Sequence, residues 1–305
     1  MAYKRNYKLR YLSLFSGIGG FEVGIQDVFP NATCVGYSEI DPYARQVYET
    51  QFPDHKWLGP VQKVHGNYHV DLIVGGSPCQ NLSSMAQMND THLGLDGSKS
   101  KLFYEFVRVV RENKGCYFIL ENVASMTEAD ENEITSILSE FKTFDPVMID
   151  SQDFSAQRRK RLFWTNIPNL QSRLDHYNAN PTRSERIRDI LDSVSIARNY
   201  IVDIAKSQTY KTYKKSLKKY GSSMSLTLLS ASGEVTPTLR TSSTMWINDD
   251  RIKKVRKLTP HEFERLQTFP DGWTDGLSYT RKIRMLGNAV TCRVIEFIVQ
   301  GLVKK

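Results

Sequence analysis

The stretch 9-LRYLSLFSGIGGFEVGIQDVF-29 decides the fold of this 305-residue chain. Its apolar run 9–15 predicts a strand, and the apolar spacing of 21–29 predicts a helix. The glycine-rich turn between them, 16-SGIGG-20, would let backbone N–H groups approach a ligand at the start of the helix. Because position 22 is Glu22 and not glycine, the turn lacks the GxGxxG spacing that favours a nicotinamide dinucleotide.

Strand and helix patterns alternate along the first 167 residues. Apolar runs predict strands at 9–15, 33–39, 70–75, 116–121, 146–150 and 159–167, and helical spacing predicts helices at 21–29, 42–52, 102–113 and 131–141. Such alternation is typical of a parallel α/β sheet with helices on both faces.

The pattern changes after residue 170. Residues 170–255 are polar and weakly periodic, with one predicted helix at 185–194, so we expect a small irregular lobe there. Regular structure returns at 259-TPHE-262, where Thr259 and Glu262 suit a helix N-terminus and Pro260 suits its first position. An apolar helix is predicted at 291–302.

Positive charge is concentrated in one part of the chain. The whole chain has 41 Lys and Arg against 33 Asp and Glu, a net charge of +8. Residues 173–256 hold 16 of the basic and 8 of the acidic residues, which leaves 25 of each elsewhere. The basic segment indicates a polyanionic partner such as nucleic acid. A solvated surface loop is the alternative that charge alone leaves open.

Two further features argue against other classes of protein. The four cysteines, Cys34, Cys79, Cys116 and Cys292, form no CxxC pair, so neither a metal site nor a disulfide framework is expected. The N-terminus has no apolar signal segment, and no apolar run approaches the ~18 residues that span a bilayer. We therefore expect a soluble, intracellular protein with no membrane partner.

Polar residues follow predicted strands at the positions where α/β sheets bind ligands. Glu39 ends the second strand 22 residues after Gly17, where an acid usually accepts hydrogen bonds from ribose hydroxyls. The third strand runs into 75-GGSPCQ-80, a turn that is poor core material, so Cys79 is a candidate nucleophile. The next strand ends in Glu121, which could share a pocket with Cys79 and assist addition to an electron-poor ring. A surface acid at Glu39, a core thiol at Cys79 and a capping role for Glu121 are the structural alternatives.

Two arginines and a late turn complete the candidate residues. In 157-QRRKR-161, Arg159 and Arg161 alternate on a predicted strand and would point to one face, where they could hold a carboxylate, a phosphate or a carbonyl oxygen. A simple basic stripe is the alternative. Near the end, 286-LGNAV-290 precedes the last helix and alone predicts only a helix entry.

Seven motifs, taken in order, resemble those of the cytosine carbon-5 DNA methyltransferases: FSGIGGF, SEID, GGSPCQ, ENV, QRRKR, RKLTPHEFERLQTFPD and GNAV. The resemblance spans residues 11–290. It implies a Rossmann-like, S-adenosylmethionine-dependent methyltransferase sheet with a small irregular target recognition lobe. It also divides the chain into a catalytic, cofactor-binding domain at 1–169, a target recognition domain at 170–255 and a C-terminal segment at 256–305 that returns to the catalytic domain.

The resemblance further implies a chemistry. Cys79 would add as a thiolate to carbon 6 of cytosine, Glu121 would protonate or hydrogen-bond ring N3, and Arg161 would bind the carbonyl oxygen, with Arg159 supporting the pocket. Carbon 5 would then accept the methyl group of S-adenosylmethionine. The target base would have to leave the duplex, because Cys79 cannot reach carbon 6 inside the stack. The loop 81–99 would close over it.

For the cofactor, the resemblance implies contacts around the strand ends. The matching residues are Phe15, Gly17, Ile18, Gly20, Glu39, Ile40, Val61, Pro78, Leu102, Asn288 and Val290. Phe15 and Ile40 would pack on adenine, and Glu39 would bind ribose. One departure from the family pattern is that Gly59 is followed by Pro60, where the family usually has an acid for the adenine amino group.

Duplex DNA is the partner that the family implies. The expected contacts are Gln80, Ser83, Lys214, Lys215, Lys218, Lys219 and Arg240. The lysines would bind phosphates and position the DNA, whereas Arg240 is a candidate for reading base edges.

Three other functions remain as alternatives. These are an RNA cytosine methyltransferase of the same fold, a catalytically inactive DNA-binding homologue and a nicotinamide oxidoreductase. The presence of Cys79, Glu121, Arg159 and Arg161 disfavours the second, and Glu22 disfavours the third. The motifs suit a cytoplasmic enzyme of a bacterium or phage, such as one of a restriction-modification system, as well as a nuclear enzyme of an animal.

Overall fold

Strands from the first 165 residues pair into one large sheet, and later strands form a second, smaller one. The computed structural model describes residues 4, 6–78, 102–142, 145–179, 185–220, 226–242 and 244–303. The chain divides into two compact units. The first comprises Met1–Asp150, Lys160–Thr182 and Cys292–Lys305, and the second comprises Ser151–Arg159 and Arg183–Thr291.

The two units together contain the following strands and helices among the described residues. The strands are β1 (Arg10–Leu14), β2 (Thr33–Ser38), β3 (Leu72–Gly76), β4 (Tyr117–Val123), β5 (Val147–Asp150), β6 (Lys160–Thr165), β7 (Thr227–Ser230), β8 (Met245–Asp249) and β9 (Lys254–Lys257). The helices are α1 (Gly20–Val28), α2 (Pro42–Gln51), α3 (Leu102–Glu112), α4 (Glu128–Leu138), α5 (Leu170–Ala179), α6 (Ile187–Ile190), α7 (Val194–Arg198), α8 (Gln208–Tyr220), α9 (Pro260–Leu266), α10 (Tyr279–Asn288) and α11 (Cys292–Val299). Short 3-10 turns lie at Val61–Lys63, Ser139–Phe141, Ser151–Asp153 and Gln300–Leu302.

The large sheet has the strand order β2-β1-β3-β4-β6-β5. Strands β1 to β4 are parallel, but β6 is antiparallel to both of its neighbours, β4 and β5. The predicted α/β fold is confirmed, whereas the prediction of a wholly parallel sheet is wrong at β6. The nine residues 151–159 join β5 to β6. A parallel connection needs about a dozen residues or more, so this link favours antiparallel pairing.

The C-terminal helix α11 packs against the first helix of the chain. A Cβ added at Gly24 in α1 would lie 2.5 Å from the Cys292 carbonyl oxygen and 2.7 Å from the Glu296 nitrogen. The two helices therefore touch at the backbone, which only glycine permits at position 24. The predicted helix at 291–302 is confirmed as α11 followed by a 3-10 turn, and it brings the end of the chain back to the first unit.

Side-chain caps set two helix starts. In α9, Thr259 Oγ1 accepts a hydrogen bond from Glu262 N at 3.3 Å, and Glu262 Oε2 accepts one from Thr259 N at 2.8 Å. The capping box predicted from the sequence is therefore confirmed. The predicted start of α4 at residue 131 is wrong by one turn, because Thr127 caps the helix and accepts a hydrogen bond from Asp130 N at 3.1 Å.

The second unit contains more regular structure than the sequence indicates. Strands β7 and β8 are parallel, β8 and β9 are antiparallel, and α8 has 13 residues. The prediction of an irregular lobe is wrong for these segments. Strands of four or five residues are too short for a clear alternating pattern, and the many lysines of α8 hide its weak apolar side. The predicted helix at 185–194 is also divided, because residue 191 is extended between α6 and α7.

One described segment, Tyr279–Leu302, is long and apolar enough to cross a membrane by length and composition. This is an exception to the expectation drawn from the sequence. However, 67% of its most apolar window is buried inside the protein. The segment is also interrupted between α10 and α11. Buried core helices of soluble proteins have the same properties, so the segment gives little support for a membrane span.

Candidate active site

The turn after β1 has open space beside one of its glycines, Gly17. Phe15, Gly17 and Gly19 all have positive φ, at 53°, 57° and 92°. A Cβ added at Gly17 would meet no atom within 4 Å. Glycine adopts positive φ without the strain that other residues incur, which explains Gly17 and Gly19. The free volume beside Gly17 means that a ligand could approach the main chain there.

The carboxylate of Glu39 joins this turn to the end of β2. Its Oε2 accepts a hydrogen bond from Gly17 N at 2.8 Å, and its Oε1 accepts hydrogen bonds from Ile40 N and Asp41 N, both at 2.7 Å. A carboxylate offers about four lone-pair sites. Three backbone donors therefore hold Glu39 in one orientation and leave acceptor capacity for a hydroxyl group of a ligand.

Apolar side chains next to Glu39 are exposed. Ile40 is 69% exposed and Trp57 is 43% exposed, and the Trp57 indole donates a hydrogen bond to the Glu39 carbonyl oxygen. An acid with spare acceptor capacity, an exposed aliphatic side chain and free space beside Gly17 fit the ribose and base of a nucleoside. The residues present are therefore compatible with S-adenosylmethionine. No sequence motif marks Trp57, so its place beside Glu39 is visible only in the structure.

Glu121 lies at the end of β4 beside the strand that leads to Cys79. Gly76 in β3 pairs with Glu121, and a Cβ added at Gly76 would lie 2.8 Å from Glu121 Oε2. The other oxygen, Oε1, forms an ion pair with Arg161 Nε at 2.8 Å. The side chains of Glu121 and Arg161 are 12% and 16% exposed. A carboxylate is thus held in a recess by one cation, with its second oxygen facing the β3 backbone.

The chain between β3 and Cys79 is also attached to β4. Asn122 Nδ2 donates a hydrogen bond to Ser77 Oγ at 3.1 Å, and both residues are buried. Cys79 follows Ser77 by two positions, so the hydrogen bond from Asn122 fixes the chain just before Cys79. Cys79, Gln80, Ser83 and the loop 81–99 lie outside the described residues.

Arg159 and Arg161 have different partners. Arg159 is buried and donates hydrogen bonds to the carbonyl oxygens of Leu239, Gly287 and Ala289, at 3.0, 3.1 and 2.8 Å. These partners all belong to the second unit, as does Arg159 itself. Within that unit Arg159 therefore holds three main-chain segments together, whereas Arg161 pairs with Glu121 in the first unit.

The remaining predicted cofactor residues differ in exposure. Ile18, Gly20 and Val61 are buried, and Val61 belongs to the apolar core of the first unit. The side chains of Ile18 and Val61 contribute to packing, so any contact of these three residues with a ligand would come from their main-chain atoms. Pro78 and Leu102 are half-buried. Asn288 is exposed and Val290 is buried, and both lie in the second unit.

The predicted phosphate-binding lysines lie on one helix of the second unit. Lys211, Lys214, Lys215, Lys218 and Lys219 are all exposed on α8. Their spacing of three and four residues puts them on one side of the helix. Tyr213 and Leu217 are half-buried on the opposite side. The segment is therefore a helix with a basic face. Arg240 is exposed in the same unit, and its peptide bond to Thr241 packs where a Cβ of Gly287 would be.

A buried ion-pair network organises the second unit. Arg256 is completely buried and donates hydrogen bonds to Asp249 Oδ2 at 2.8 Å and to both carboxylate oxygens of Glu262, at 2.7 and 2.8 Å. Hydrogen bonds from Arg251 and Arg256 lower the pKa of Asp249 to about 2. The network ties β8 and β9 to the start of α9. The role of Arg256 could not be predicted from the sequence, because burial of a charged residue has no local signature.

Comparison with known proteins agrees with this architecture. The family described as C-5 cytosine-specific DNA methylase matches residues 9–304. The type II methyltransferase M1.ScrFI of Lactococcus lactis subsp. cremoris is 27% identical over 317 residues, which cover 99% of this chain and 79% of that protein.

Two solved structures have the same fold. The Entamoeba histolytica methyltransferase EhMeth has a TM-score of 0.73 at 16% identity, covering 97% of this chain and 98% of that one. The Dnmt2 methyltransferase of S. pombe has a TM-score of 0.71 at 17% identity, covering 96% and 98%. At these identities the likeness concerns the fold alone.

Proposed function

This chain belongs to the C-5 cytosine-specific DNA methylase family, and from that premise we propose that it methylates carbon 5 of cytosine in duplex DNA through a covalent adduct with Cys79. The observation that carries the proposal is the position of Glu121. Arg161 holds one of its carboxylate oxygens, and the other lies against Gly76, three residues before Cys79. An acid and a thiol would thus act on the same ring.

The reaction begins with the thiolate of Cys79, the form of cysteine that attacks carbon. Its electron pair forms a bond to carbon 6 of cytosine, and negative charge moves towards ring N3. Glu121, in its protonated form, stabilises this charge by donating a hydrogen bond or its proton to N3, and it takes the proton back when the product forms. Arg161 binds the carbonyl oxygen. The ion pair between Glu121 and Arg161 aligns both groups before the base arrives, so little reorganisation is needed.

Addition at carbon 6 makes carbon 5 nucleophilic. S-adenosylmethionine, when bound, supplies the electrophilic methyl group that carbon 5 receives. A base then removes the proton from carbon 5, and the electron pair of that C–H bond forms the 5,6 double bond as the Cys79 thiolate leaves. Within this chain, Glu39 would bind the ribose of the cofactor and Ile40 would pack on its base.

The target base has to leave the helix to react. The side chain of Glu121 is only 12% exposed near the carboxyl end of β4, where a base stacked in a duplex could not reach it. The basic face of α8, with Lys214, Lys215, Lys218 and Lys219, would bind the phosphates and position the DNA. Residues 170–255 retain their proposed role in target recognition. Because the substrate is DNA, we also propose that the enzyme is intracellular.

A trapping experiment tests the covalent step. DNA that contains 5-fluorocytosine has no proton at carbon 5 to lose, so a thiolate adduct formed during methylation should persist and survive denaturing electrophoresis. We expect the adduct with the unaltered protein and its loss in Cys79→Ser, because a serine hydroxyl is almost never ionised at neutral pH.

Cys116→Ser is the matched control, because burial raises the pKa of the Cys116 thiol to about 12. This control should still form the adduct. An undiminished adduct in Cys79→Ser would overturn the covalent mechanism. Parallel assays with unmodified duplex DNA and with transfer RNA compare the two substrate classes, and faster methylation of transfer RNA would favour the RNA enzyme instead.

A further inference from the structure

The segment that contains Trp57 runs alongside β2. Tyr37 N donates a hydrogen bond to the Lys56 carbonyl oxygen, and Leu58 N donates one to the Tyr37 carbonyl oxygen, both at 2.9 Å. Trp57 thus pairs with Tyr37 in a parallel bridge. The main chain at Trp57 is therefore fixed to the strand that ends one residue before Glu39.

A chain of side-chain contacts then leads from the core to Glu39. Buried Tyr37 donates its hydroxyl to Glu49 Oε1 at 2.7 Å, and Arg45 Nη2 donates to the same oxygen at 2.6 Å. The Arg45 guanidinium lies 3.6 Å from the centroid of the Trp57 ring. The Trp57 indole Nε1 donates to the Glu39 carbonyl oxygen at 3.1 Å. Each member of the chain holds the next, and the last contact is on the acid that we propose binds ribose.

The position of this last hydrogen bond matters. The carbonyl oxygen of Glu39 and the N–H of Ile40 belong to the same planar peptide unit. Trp57 holds the oxygen of this unit, and the carboxylate of Glu39 accepts the hydrogen bond from its nitrogen. The orientation of the peptide plane therefore determines where the carboxylate lies. It also determines where Ile40 presents its exposed side chain.

We infer that Trp57 is a positioning residue for S-adenosylmethionine, which holds the Glu39–Ile40 peptide so that the acid and the aliphatic side chain meet the ribose and base of the cofactor. Arg45 stacks on one face of the indole, and Glu49 accepts a hydrogen bond from Arg45. The inference rests on the proposed function, because it assumes that Glu39 binds the cofactor.

Trp57→Phe tests the inference, because phenylalanine keeps an aromatic ring but has no N–H to donate. Calorimetric titration with S-adenosylmethionine should show affinity reduced by roughly 3- to 10-fold, the effect of losing one net hydrogen bond. In steady-state assays, the KM for the cofactor should rise by a similar factor with kcat unchanged. Arg45→Gln, which removes the cation over the ring, should reduce affinity in the same direction.

A matched control separates positioning from general destabilisation. Arg111→Gln removes another Arg–Glu ion pair of the first unit, which joins Arg111 of α3 to Glu140 of the 3-10 turn Ser139–Phe141 at 2.6 Å. Arg45→Gln and Arg111→Gln should lower the melting temperature by similar amounts, but only Arg45→Gln should weaken cofactor binding.

The possible results separate the inference from the function on which it rests. Normal cofactor binding by Trp57→Phe, within twofold of the unaltered protein, would overturn the positioning role and leave the proposed function intact. Failure of the unaltered protein to bind S-adenosylmethionine would overturn both.

Discussion

Ionisation of buried Glu22 should make the protein less stable as the pH rises, and the substitution Glu22→Gln should abolish this effect. Glu22 lies in the first turn of α1, two residues after Gly20, and is fully buried. Its Oε1 accepts a hydrogen bond from Tyr48 Oη at 2.9 Å. Burial raises the pKa of Glu22 from its ordinary value of 4.5 to about 7. The folded protein therefore favours the neutral acid.

The sign and size of the effect follow from this difference. Because the pKa of Glu22 is higher in the folded protein, its protonation stabilises the fold fully below pH 4.5, and this contribution is lost as the pH rises through 7. A difference of about 2.5 units corresponds to about 3 kcal/mol. Glutamine is neutral at every pH and can still accept the hydrogen bond from Tyr48. The free energy of unfolding of Glu22→Gln minus that of the unaltered protein should thus increase by about 3 kcal/mol between pH 4.5 and pH 8.

Urea unfolding of both proteins at pH 4.5, 6, 7 and 8 measures this difference directly, since all other titrating groups contribute equally to the two curves. Glu128→Gln is the control, because Glu128 is exposed in the first turn of α4. Its difference from the unaltered protein should hardly change over the same range. A constant difference for Glu22→Gln, or one that decreases with pH, would refute the argument from burial.

Three further substitutions test the proposed site. Glu121→Gln should slow methyl transfer by ~10²-fold or more, because an amide cannot protonate N3. Calorimetry should show unchanged cofactor binding, and a large loss of cofactor binding would mean that Glu121 has a structural role. Glu39→Ala should weaken S-adenosylmethionine binding by ~1.5–3 kcal/mol, the range for hydrogen bonds to a charged group, and unchanged affinity would remove it from the site. Replacing Lys218 and Lys219 together with alanine should weaken binding to all DNA sequences about equally and make the slope of log affinity against log salt shallower by up to ~0.9 per phosphate contact. An unchanged slope would mean that these lysines only keep the helix soluble.

Local patterns account for most of what the sequence predicted correctly. Apolar residues recur about every two positions in a strand with one buried face and every 3.6 positions in a helix with one buried face. These patterns located β1 to β6 and α1 to α4 to within a few residues. The Thr259–Glu262 capping box involves residues only three apart, and it was predicted for the same reason. The order of the motifs also predicted the family, because motif order can be seen in the sequence and does not depend on how the strands pair.

Short or polar elements could not be found in this way. Strands β7 to β9 have four or five residues each, and their stability comes from pairing with one another. The direction of β6 likewise has no sequence signature, because a strand has the same alternating pattern in both directions. Only the short link from β5, residues 151–159, favours the antiparallel direction of β6.

At the candidate site, the sequence alone determined which chemical groups are present and which strand ends carry them. The sequence contains glycines at positions 17 and 76 and carboxylates at positions 39 and 121. Only the tertiary structure decided their partners. Arg161 pairs with Glu121 across 40 positions of sequence, and Arg159 reaches carbonyl oxygens 80 to 130 positions away. A buried cation takes the partners that packing brings to it, because desolvation makes an unpaired charge too costly, and neither packing nor desolvation is recorded in the local order of residues.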